Sequence, residues 1–405
     1  MGTGKAPLPY TKKQLMELDG CTRCGECLGW CQAYGENKDL SIAPAERLRA
    51  MRRYLKGEKL PSLLARLLGG RKFTGEDLKA LSNEAYLCTL CGRCEAVCPV
   101  GIGLRDLWIA LREDLVERGL QPAGLNMARD AAMTEHNILS YPNDERATWV
   151  DYMMEAPEDL YQRPTAEVVY FVGCIASFSP AVQSIPEAFV QLLTAAGVDF
   201  TIMGGDEWCC GLPLIAGGMR KDIEELKKHN IAAIMERGAK RIVFTCPSCY
   251  NTWLREYAPA LDGVELLHST QFIRQLLAGG KLELKETAKK VTYHDPCDLG
   301  RNSGVYDEPR EILKQMPGVQ FVEMRQNRER GLCCGGGGDL EISSPELAGA
   351  EASSFLRAIE ALNVDAVVTA CQQCKRMIKV GITKEGARIE AIDIAEFVFG
   401  ALRGS

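Results

Sequence analysis

Residues 230–249 read NIAAIMERGAKRIVFTCPSC, and residues 355–374 read FLRAIEALNVDAVVTACQQC. Each segment combines an apolar stretch with helical spacing, Gly238 or Asn363, a short run of β-branched residues and a C-x2-C motif. Glycine and asparagine tolerate the left-handed conformation that ends a helix, and short β-branched runs beside turn residues are typical of buried strands. We therefore predict helix, cap, strand and ligand loop in each segment, an α/β unit that occurs twice.

The duplication extends to ten cysteines. In each copy, a single cysteine is followed by a vicinal pair with a glycine directly after it, and then by the C-x2-C motif. Each of these positions recurs 123 to 125 residues later, which indicates an internal repeat. The first copy contains Cys174, Cys209, Cys210, Cys246 and Cys249, and the second contains Cys297, Cys333, Cys334, Cys371 and Cys374.

Most of these cysteines follow predicted strands, at residues 168–173, 241–245, 290–296 and 366–370. Open α/β sheets bind ligands outside the carboxyl ends of their strands. The vicinal pairs are predicted to lie in loops. In the second copy the pair runs into four glycines, 335–338, which we expect to let the backbone approach a bulky inorganic ligand. No G-x-G-x-x-G or P-loop ending accompanies them, so the run does not favour phosphate binding.

Five thiols per copy do not suit the common metal sites. Zinc and cubane clusters take four ligands, and two adjacent cysteines do not easily point at separate corners of one cube. An open iron–sulfur cluster with a bridging thiolate fits the number better. A zinc site with one idle cysteine and a redox-active vicinal disulfide remain alternatives.

Eight further cysteines precede the repeats, in two runs of the form C-x2-C-x2-C-x3-C. This is the spacing of bacterial ferredoxins, in which three thiolates bind one cubane cluster and the fourth binds the other. One [4Fe-4S] cluster would take Cys21, Cys24, Cys27 and Cys98, and the other Cys88, Cys91, Cys94 and Cys31. Two four-cysteine zinc sites are the alternative, although zinc has no need of the third and fourth cysteines at this spacing. Pro99 follows the second run, whereas Gln32 replaces that proline after the first.

The composition is that of an ordinary globular protein, apart from its cysteines. The chain has 405 residues, 46% of them hydrophobic, and a net charge of −6, which argues against nucleic acid as a partner. Residues 1–10 show no signal peptide or twin-arginine leader, and no apolar run approaches the roughly 20 residues that span a bilayer. We therefore predict a cytoplasmic protein without a transmembrane segment, whose 18 cysteines bind metal rather than form disulfides.

We predict three domains: a mainly α-helical double-cubane domain at 1–165, and two α/β domains at 166–285 and 286–405. The acidic, proline-bearing segment 142–164 is interpreted as the link to the repeats. Segment 44–73 mixes nine basic residues with leucines, which predicts one or two amphipathic helices. Its polar face either is simply solvated or docks onto a membrane subunit or anionic lipid.

Several residues near the motifs invite functional interpretations. His294 and Asp295 precede Cys297, so they either donate protons to departing thiolates or only hydrogen-bond cluster sulfurs. Trp30 and Trp208 adjoin cysteines and are expected to shield clusters from water. The remaining histidines lie away from the motifs in the sequence and are interpreted as structural or surface residues: His136, His229 and His268. A helical stretch with core-facing spacing contains Leu104, Leu107, Trp108, Leu111 and Leu115.

The motif order resembles that of the D subunit of heterodisulfide reductase, over essentially the whole chain. The vicinal pair with its following glycine is the mark of the cysteine-rich CCG domains of that family. Iron–sulfur subunits of glycolate oxidase and of anaerobic glycerol-3-phosphate dehydrogenase have the same order. The resemblance implies a noncubane [4Fe-4S] cluster on the five cysteines of each copy, and thus four [4Fe-4S] clusters, two cubane and two noncubane. It also implies that the two noncubane clusters together cleave a disulfide, which would make the ten CCG cysteines catalytic through their clusters.

Two functions follow as hypotheses. The first is a heterodisulfide reductase-like oxidoreductase subunit that reduces, or forms, a disulfide-type thiol substrate; two complete CCG copies favour it. The second is an electron-transfer subunit that links a flavin dehydrogenase to quinone or a membrane cytochrome. The sequence has no flavin or NAD fingerprint, so we expect those groups on other chains. The expected partners are flavin-containing or cytochrome b-type subunits, with peripheral membrane association, at the inner face, only through a partner.

Overall fold

The computed structural model describes residues 9–59, 61–68, 71–160 and 163–403. The prediction that no signal peptide or leader is visible concerns residues 1–10, and residues 1–8 lie outside the part of the chain that the structure describes. The described N-terminal region is helical, as predicted. Its helices are α1 (Lys12–Gly20), α2 (Gln32–Asn37), α3 (Pro44–Lys59), α4 (Ser62–Leu67), α5 (Gly75–Tyr86), α6 (Arg93–Ala96), α7 (Leu104–Glu117) and α8 (Ala123–Thr134).

Each repeat forms one four-stranded parallel sheet with helices around it. The strand order is β2-β1-β3-β4 in the first sheet and β6-β5-β7-β8 in the second, so the two sheets have the same topology. This confirms the predicted pair of α/β units. The strands are β1 (Val168–Phe171), β2 (Phe200–Ile202), β3 (Arg241–Phe244), β4 (Glu265–His268), β5 (Lys289–Tyr293), β6 (Val319–Phe321), β7 (Ala366–Thr369) and β8 (Glu390–Asp393).

The helices of the first repeat are α9 (Cys174–Phe178), α10 (Ser184–Ala195), α11 (Leu212–Gly217), α12 (Ile223–Glu236), α13 (Pro247–Thr252) and α14 (Ser269–Ala278). Those of the second are α15 (Asp307–Gln315), α16 (Leu340–Ser343), α17 (Pro345–Glu360), α18 (Gln372–Glu385) and α19 (Ile394–Gly400). Gly238 has a φ of 64° and Asn363 a φ of 46°, which confirms the left-handed caps predicted after α12 and α17.

Parallel pairing brings the cysteine-bearing ends of the central strands together. In the first sheet β1 pairs with β3, with Phe171 opposite Phe244, and in the second β5 pairs with β7. Strand β1 is fully buried, as expected for a parallel sheet covered on both faces. Cys174 begins α9, and Cys246 and Cys371 are the N-caps of α13 and α18. The ligand loops therefore open at the carboxyl edge of each sheet.

Helix α7 connects the helical domain to both repeats through Arg112. Its predicted core face is confirmed, because Leu107 and Leu111 are completely buried. The Arg112 side chain is also buried, and all five of its N–H groups donate to backbone carbonyls. The acceptors are Ala85 (twice, at 3.1 and 3.0 Å) and Cys88 (2.8 Å) in the helical domain, Ala216 (2.8 Å) in the first repeat and Gly338 (2.9 Å) in the second.

Segment 142–164 is more than the link that the sequence indicated. Residues Asn143–Tyr152 form an extended 3-10 helix that packs on the first repeat. Asn143 donates to the carbonyls of Gly205 and Glu207 at 2.6 and 3.1 Å, and Arg146 is buried. Acidic and proline residues suggested a link between domains, but the segment is also bound to the first repeat through Asn143 and through the Arg146–Glu207 pair.

Segment 44–73 contains two helices, as predicted. Helix α3 buries an apolar face that includes Leu48, Met51 and Leu55, whereas α4 exposes Leu63 and Leu67. The docking of segment 44–73 onto a membrane subunit or anionic lipid remains one of two open predictions for its polar face. Within the described residues, no helix is both long and apolar enough to span a membrane.

Candidate metal centres

Cys21, Cys24, Cys27 and Cys98 lie together around one small cavity. Burial, and then the negative charge of Cys21, raises the pKa of the Cys27 thiol to about 11. Cys24 is exposed to solvent. The structure thus brings one predicted cubane set together, with one of its members at the protein surface.

Cys31, Cys88, Cys91 and Cys94 form the second group. Burial raises the pKa of Cys94 well above its usual range, and the neighbouring Cys88, Cys91 and Cys31 raise it further. Burial also raises the pKa of Cys31 to about 12. Cys94 and Cys31 are therefore unfavourable as anions beside the other two thiols, and a bound cation relieves such repulsion. The cross-over grouping of these residues is therefore present in the fold, while their role as ligands stays a prediction.

The five cysteines of the first repeat form one buried group. Side-chain hydrogen bonds join Cys174 to Cys209 and Cys249 to both Cys210 and Cys246. Those from Cys209 and Cys249 lower the pKa of Cys210 to about 6. Gly173 has a φ of 83°, and a Cβ there would lie 3.3 Å from the Cys249 sulfur. Glycine is needed at this position because the backbone passes so close to the thiol group.

The second repeat repeats this arrangement. The sulfur atoms of Cys334 and Cys374 are 3.3 Å apart, and Cys333 hydrogen-bonds Cys297. Hydrogen bonds from Cys333 and Cys374 hold the pKa of Cys334 well below its usual range, as in the equivalent Cys210. Cys371 hydrogen-bonds Cys374 and completes the set.

Backbone N–H groups point at sulfur in both repeats. Gly211 and Gly335, the glycines that follow the vicinal pairs, each donate to the first sulfur of the pair at 3.4 Å. The Cys374 N–H donates to the sulfur of Cys371 at 3.3 Å. Iron–sulfur clusters are commonly held by thiolates that accept such hydrogen bonds. Five converging thiols with N–H donors fit an iron–sulfur cluster in each repeat better than a four-coordinate zinc ion.

A buried ion pair that sequence reasoning missed lies beside the first group. Arg146 donates to Glu207 at 2.9 Å and lies 3.8 Å from the sulfur of Cys174. Glu207 in turn accepts from the N–H groups of Val172 and Gly173, both at 2.8 Å. Arg146 therefore places a positive charge next to a thiolate. It was not predictable because it belongs to the segment interpreted as a linker.

His294 contacts the second group instead. It lies with Cys334 and Cys374 in a buried cluster whose ligand atoms are within 4.8 Å of one another. Its neighbour Asp295 is paired with Arg310, which donates to both carboxylate oxygens at 2.8 Å. Asp295 therefore has a buried structural partner, and His294 is the side chain that faces the sulfurs.

Two histidines that are remote from the motifs in the sequence, His136 and His229, lie beside the first vicinal pair in the fold, where they have a structural role. His136 and His229 stack on opposite faces of Trp208, with ring centroids 3.5 and 3.6 Å away. The His136 carbonyl accepts the N–H of Cys209 at 2.7 Å. These residues are 72 and 21 positions from Trp208 in the sequence, so only the fold brings them together. His268 is structural, since it accepts from Thr270 at the start of α14.

Polar contacts between the repeats hold the two groups opposite each other. Ser248, inside the first C-x2-C motif, donates to Asp298 of the second repeat at 2.6 Å. Gln372, inside the second C-x2-C motif, donates to Thr245 of the first repeat at 2.8 Å. Each motif thus reaches into the other repeat. Arg105 of α7 also pairs with Asp298, at 3.3 Å.

A cavity of about 340 Å³ opens at this junction. All five cysteines of the first repeat line it, together with Cys297 of the second. Its walls also include Gly336, Gln372 and the ion-paired Arg376. The volume suits a small molecule, and its placement gives such a molecule access to sulfur sites of both repeats.

The glycine run also packs against the helical domain, while its approach to an inorganic ligand stays a prediction. A Cβ at Gly337 would lie 2.6 Å from the carbonyl oxygen of Thr89 in the helical domain. These glycines therefore permit close packing of one domain on the other, as well as lining the cavity.

Comparison with known proteins identifies the class. Residues 168–253 and 291–379 match the CCG family of cysteine-rich domains, and residues 17–102 match the 4Fe-4S dicluster domain. The fold and its cysteine groups define an iron–sulfur oxidoreductase subunit with a dicluster domain and two CCG domains. The five cysteines of one repeat together are called a CCG site.

The chain belongs to the family of heterodisulfide reductase D subunits. The D subunit of the dihydromethanophenazine:CoB--CoM heterodisulfide reductase of Methanosarcina barkeri is 35% identical over 402 residues, which cover 97% of this chain and 96% of that protein. The Methanosarcina acetivorans counterpart is 36% identical with the same coverage. The chain is thus an iron–sulfur electron-transfer subunit of this group of oxidoreductases.

Similarity extends to other redox proteins. The EtfAB:quinone oxidoreductase of Syntrophomonas wolfei is 30% identical over 96% of this chain and 59% of that protein. A crystal structure of a hypothetical protein from Helicobacter pylori has a TM-score of 0.56 with 10% identity, and the match covers 97% of this chain and 73% of that one. This last similarity concerns the fold alone.

Proposed function

We propose that this chain is the catalytic subunit of a redox complex that reduces, or in reverse forms, a disulfide-type thiol substrate. Electrons would pass through two cubane clusters to a noncubane [4Fe-4S] cluster at each CCG site. The observation that carries the proposal is the cavity, whose wall contains cysteines from both repeats. A passive electron carrier has no need of a small-molecule cavity at its buried end.

The reaction needs two electrons and two protons. Reduction of R–S–S–R′ breaks the sulfur–sulfur bond and yields R–SH and R′–SH. Clusters held by these cysteines would supply the two electrons one at a time. The protein holds their thiolates in place, excludes water through burial, and keeps the two CCG sites opposed through Ser248 and Gln372.

The charged neighbours of the CCG sites differ, and this bears on the reaction. Arg146 places a fixed positive charge beside Cys174, which stabilises added electrons at the first site. His294 lies beside Cys334 and Cys374 at the second site. We assign to Arg146 the stabilisation of negative charge in the first repeat and to His294 the hydrogen bonding of sulfur in the second.

The partners remain part of the proposal. The exposed Cys24 puts the first cubane group at the surface, which suits electron exchange with a flavin-containing or cytochrome b-type subunit. The second candidate function is a link between such a flavin protein and quinone, favoured by the similarity to the EtfAB:quinone oxidoreductase. Under that function the cavity would have no substrate.

Disulfide titration distinguishes the two functions. The reduced holoprotein is mixed with candidate disulfides, and thiol release and new thiolate-bound cluster signals in electron paramagnetic resonance (EPR) spectra are followed. We expect turnover that falls sharply in a Leu139→Trp variant, which enlarges a side chain that lines the cavity, and persists in Gly75→Trp, at a position with open space around it. Absence of turnover and of any new signal with all disulfides would contradict the proposal and favour the electron-transfer link.

A further inference from the structure

The two CCG sites have different surroundings. The first lines the cavity with all five of its cysteines, whereas the second contributes only Cys297 among the described lining residues. The vicinal pair of the second site, Cys333 and Cys334, instead lies against the helical domain. The repeat is therefore symmetric in its cysteines but not in its contacts.

The second CCG site adjoins the second cubane group. Cys333 is the largest cause of the lowered pKa of Cys91, which places the two thiols beside each other. Arg301 spans the same boundary, since it donates to the Cys91 carbonyl at 2.6 Å and to the Gly331 carbonyl at 2.9 Å. One sulfur of a predicted cubane set and one of a predicted noncubane set are thus neighbours.

Gln32 of the helical domain is hydrogen-bonded to the backbone of the second CCG site. Its amide donates to the carbonyls of Cys333 and Glu351 at 3.0 and 2.9 Å, and its oxygen accepts the N–H of Cys333 at 3.0 Å. The side chain is buried, with 7% exposure. Gln32 directly follows Cys31 of the second cubane group, so it ties the backbone of that group to the backbone of the CCG site. This explains the glutamine where ferredoxins normally have proline.

The Cys209 N–H of the first vicinal pair donates to the His136 carbonyl of the helical domain at 2.7 Å, but the side-chain amide that binds this pair comes from its own repeat. Asn230 of α12 donates to the carbonyls of Trp208 and Cys209 at 3.2 and 3.3 Å, and accepts the N–H of Trp208 at 3.0 Å. The same amide chemistry thus holds both vicinal pairs. In the first repeat it comes from within the domain, whereas in the second it comes from the helical domain.

We propose that electrons enter the CCG pair at the second site, across the boundary between Cys91 and Cys333 that Arg301 and Gln32 bridge. Gln32 is the positioning residue that holds this boundary. The second site then relays electrons to the first, which faces the cavity. Gln372 of the second C-x2-C motif donates to Thr245, one residue before Cys246 of the first, at 2.8 Å, so the two motifs adjoin where the relay would cross. The inference rests on the proposed clusters but not on the identity of the substrate.

Matched cysteine variants test the point of entry. Cys334→Ser and Cys210→Ser each remove the second thiol of one vicinal pair, and each leaves one intact CCG site whose EPR signal is then unambiguous. The full chain with its clusters is mixed rapidly with dithionite and freeze-quenched. We expect the remaining first-site signal of Cys334→Ser to appear at least about tenfold more slowly than in the parent, as for loss of a supporting contact at a metal site. In Cys210→Ser the second-site signal should appear at the parent rate; equal rates or the reverse order would overturn the proposal.

Variants of Gln32 test its positioning role. Gln32→Pro restores the ferredoxin residue at the first position of α2, where proline is favoured, and Gln32→Met keeps the size of the side chain. Both should slow reduction of the second-site cluster about tenfold, with both cubane signals retained. Asn230→Ala is the control and should leave second-site reduction unchanged. Loss of iron from the second CCG site alone would also support the positioning role of Gln32. The role would be overturned if both Gln32 variants reduced the second-site cluster at the parent rate, or if the cubane signals were lost.

These measurements use a chemical reductant and no disulfide. If the parent protein failed to turn over any disulfide, the proposed function would be refuted, while the order of reduction of the two CCG sites would still decide this inference.

Discussion

Arg146 and Glu207 form a buried pair of opposite charges next to Cys174, with 2% and 1% of their side chains exposed. Both charges act over a short distance in a poorly hydrated environment, where electrostatic effects are large. Of the two partners, Arg146 is the one that contacts the Cys174 sulfur, at 3.8 Å. The pair therefore gives the first CCG site a local field that depends on both partners.

The two halves of this pair should shift the reduction potential of the first site in opposite directions. Arg146→Gln removes a positive charge and should lower the midpoint potential by about 60 mV, which is a tenfold effect for one electron. Glu207→Gln removes a negative charge and should raise it. A redox titration followed by EPR measures both. Shifts of the same sign, or no shift in either variant, would contradict this electrostatic role.

Asp393 makes stability depend on pH. It is 1% exposed, and burial, followed by the charge of Glu396, raises its pKa from 3.8 to about 8. The folded state thus binds this proton more tightly than the unfolded state. The contribution to stability is therefore present at low pH and is lost as the pH rises through about 8.

Asp393→Asn should remove this dependence while keeping the N-cap of α19, because asparagine caps helices as well as aspartate does. We expect the thermal unfolding midpoint of the variant to exceed that of the parent by several degrees at pH 8.5, and by less at pH 5. Circular dichroism at the two pH values measures the difference. An equal difference at both would show that Asp393 does not titrate in this range.

The residues that sequence could predict are those with a local pattern. The cysteine sets were grouped by their spacing within each motif and between copies. The contacts of Gln32 and Arg146 with the cysteine groups were not predicted, because their partners lie far away in the chain. Gln32 binds Cys333, which is 301 residues away. The replacement of the ferredoxin proline by Gln32 was evident from the sequence, but no sequence pattern predicts which residues Gln32 binds.

At the scale of elements, local signals predicted the strands that lead into cysteine loops, β1, β3, β5 and β7, but not β2, β4, β6 and β8. The four predicted strands and the helix caps at Gly238 and Asn363 follow from hydrophobic runs and turn residues, and the structure confirms them. The 3-10 helix Asn143–Tyr152 was missed because its stability comes from side chains that bind the first repeat. Elements that depend on tertiary contacts carry no such pattern.

The loop of glycines after the second vicinal pair provides an element-scale prediction. Gly337→Ala would place a Cβ 2.6 Å from the Thr89 carbonyl oxygen, too close for the backbones to keep their present packing. We expect a loss of stability of about 1–3 kcal/mol and altered spectra of the second cubane and second CCG clusters. Denaturant unfolding and EPR measure both effects.

Gly75→Ala is the matched control for Gly337→Ala. Gly75 lies in α5, and a Cβ there would have no atom within 4 Å, so alanine should be neutral or slightly stabilising. If Gly337→Ala behaved like this control, the close approach of the two loops would not matter for stability.

The whole molecule is organised around contacts among its three parts. The side chain of Arg112 binds backbone carbonyls in all three parts: the helical domain, the first repeat and the second repeat. Asp298 accepts from Ser248 of the first repeat and pairs with Arg105 of the helical domain. The sequence predicted the parts and their order, but not their mutual arrangement, because a buried arginine's five acceptors are set only by the packed backbone.

We propose that all four cysteine groups hold iron–sulfur clusters, two of them at CCG sites of five thiols each. The decisive measurement is the content of iron, zinc and acid-labile sulfide per chain in anaerobically purified protein. Four such clusters require roughly sixteen irons with matching sulfide and no zinc. About eight irons accompanied by zinc would mean that the CCG sites are structural and hold no iron–sulfur clusters.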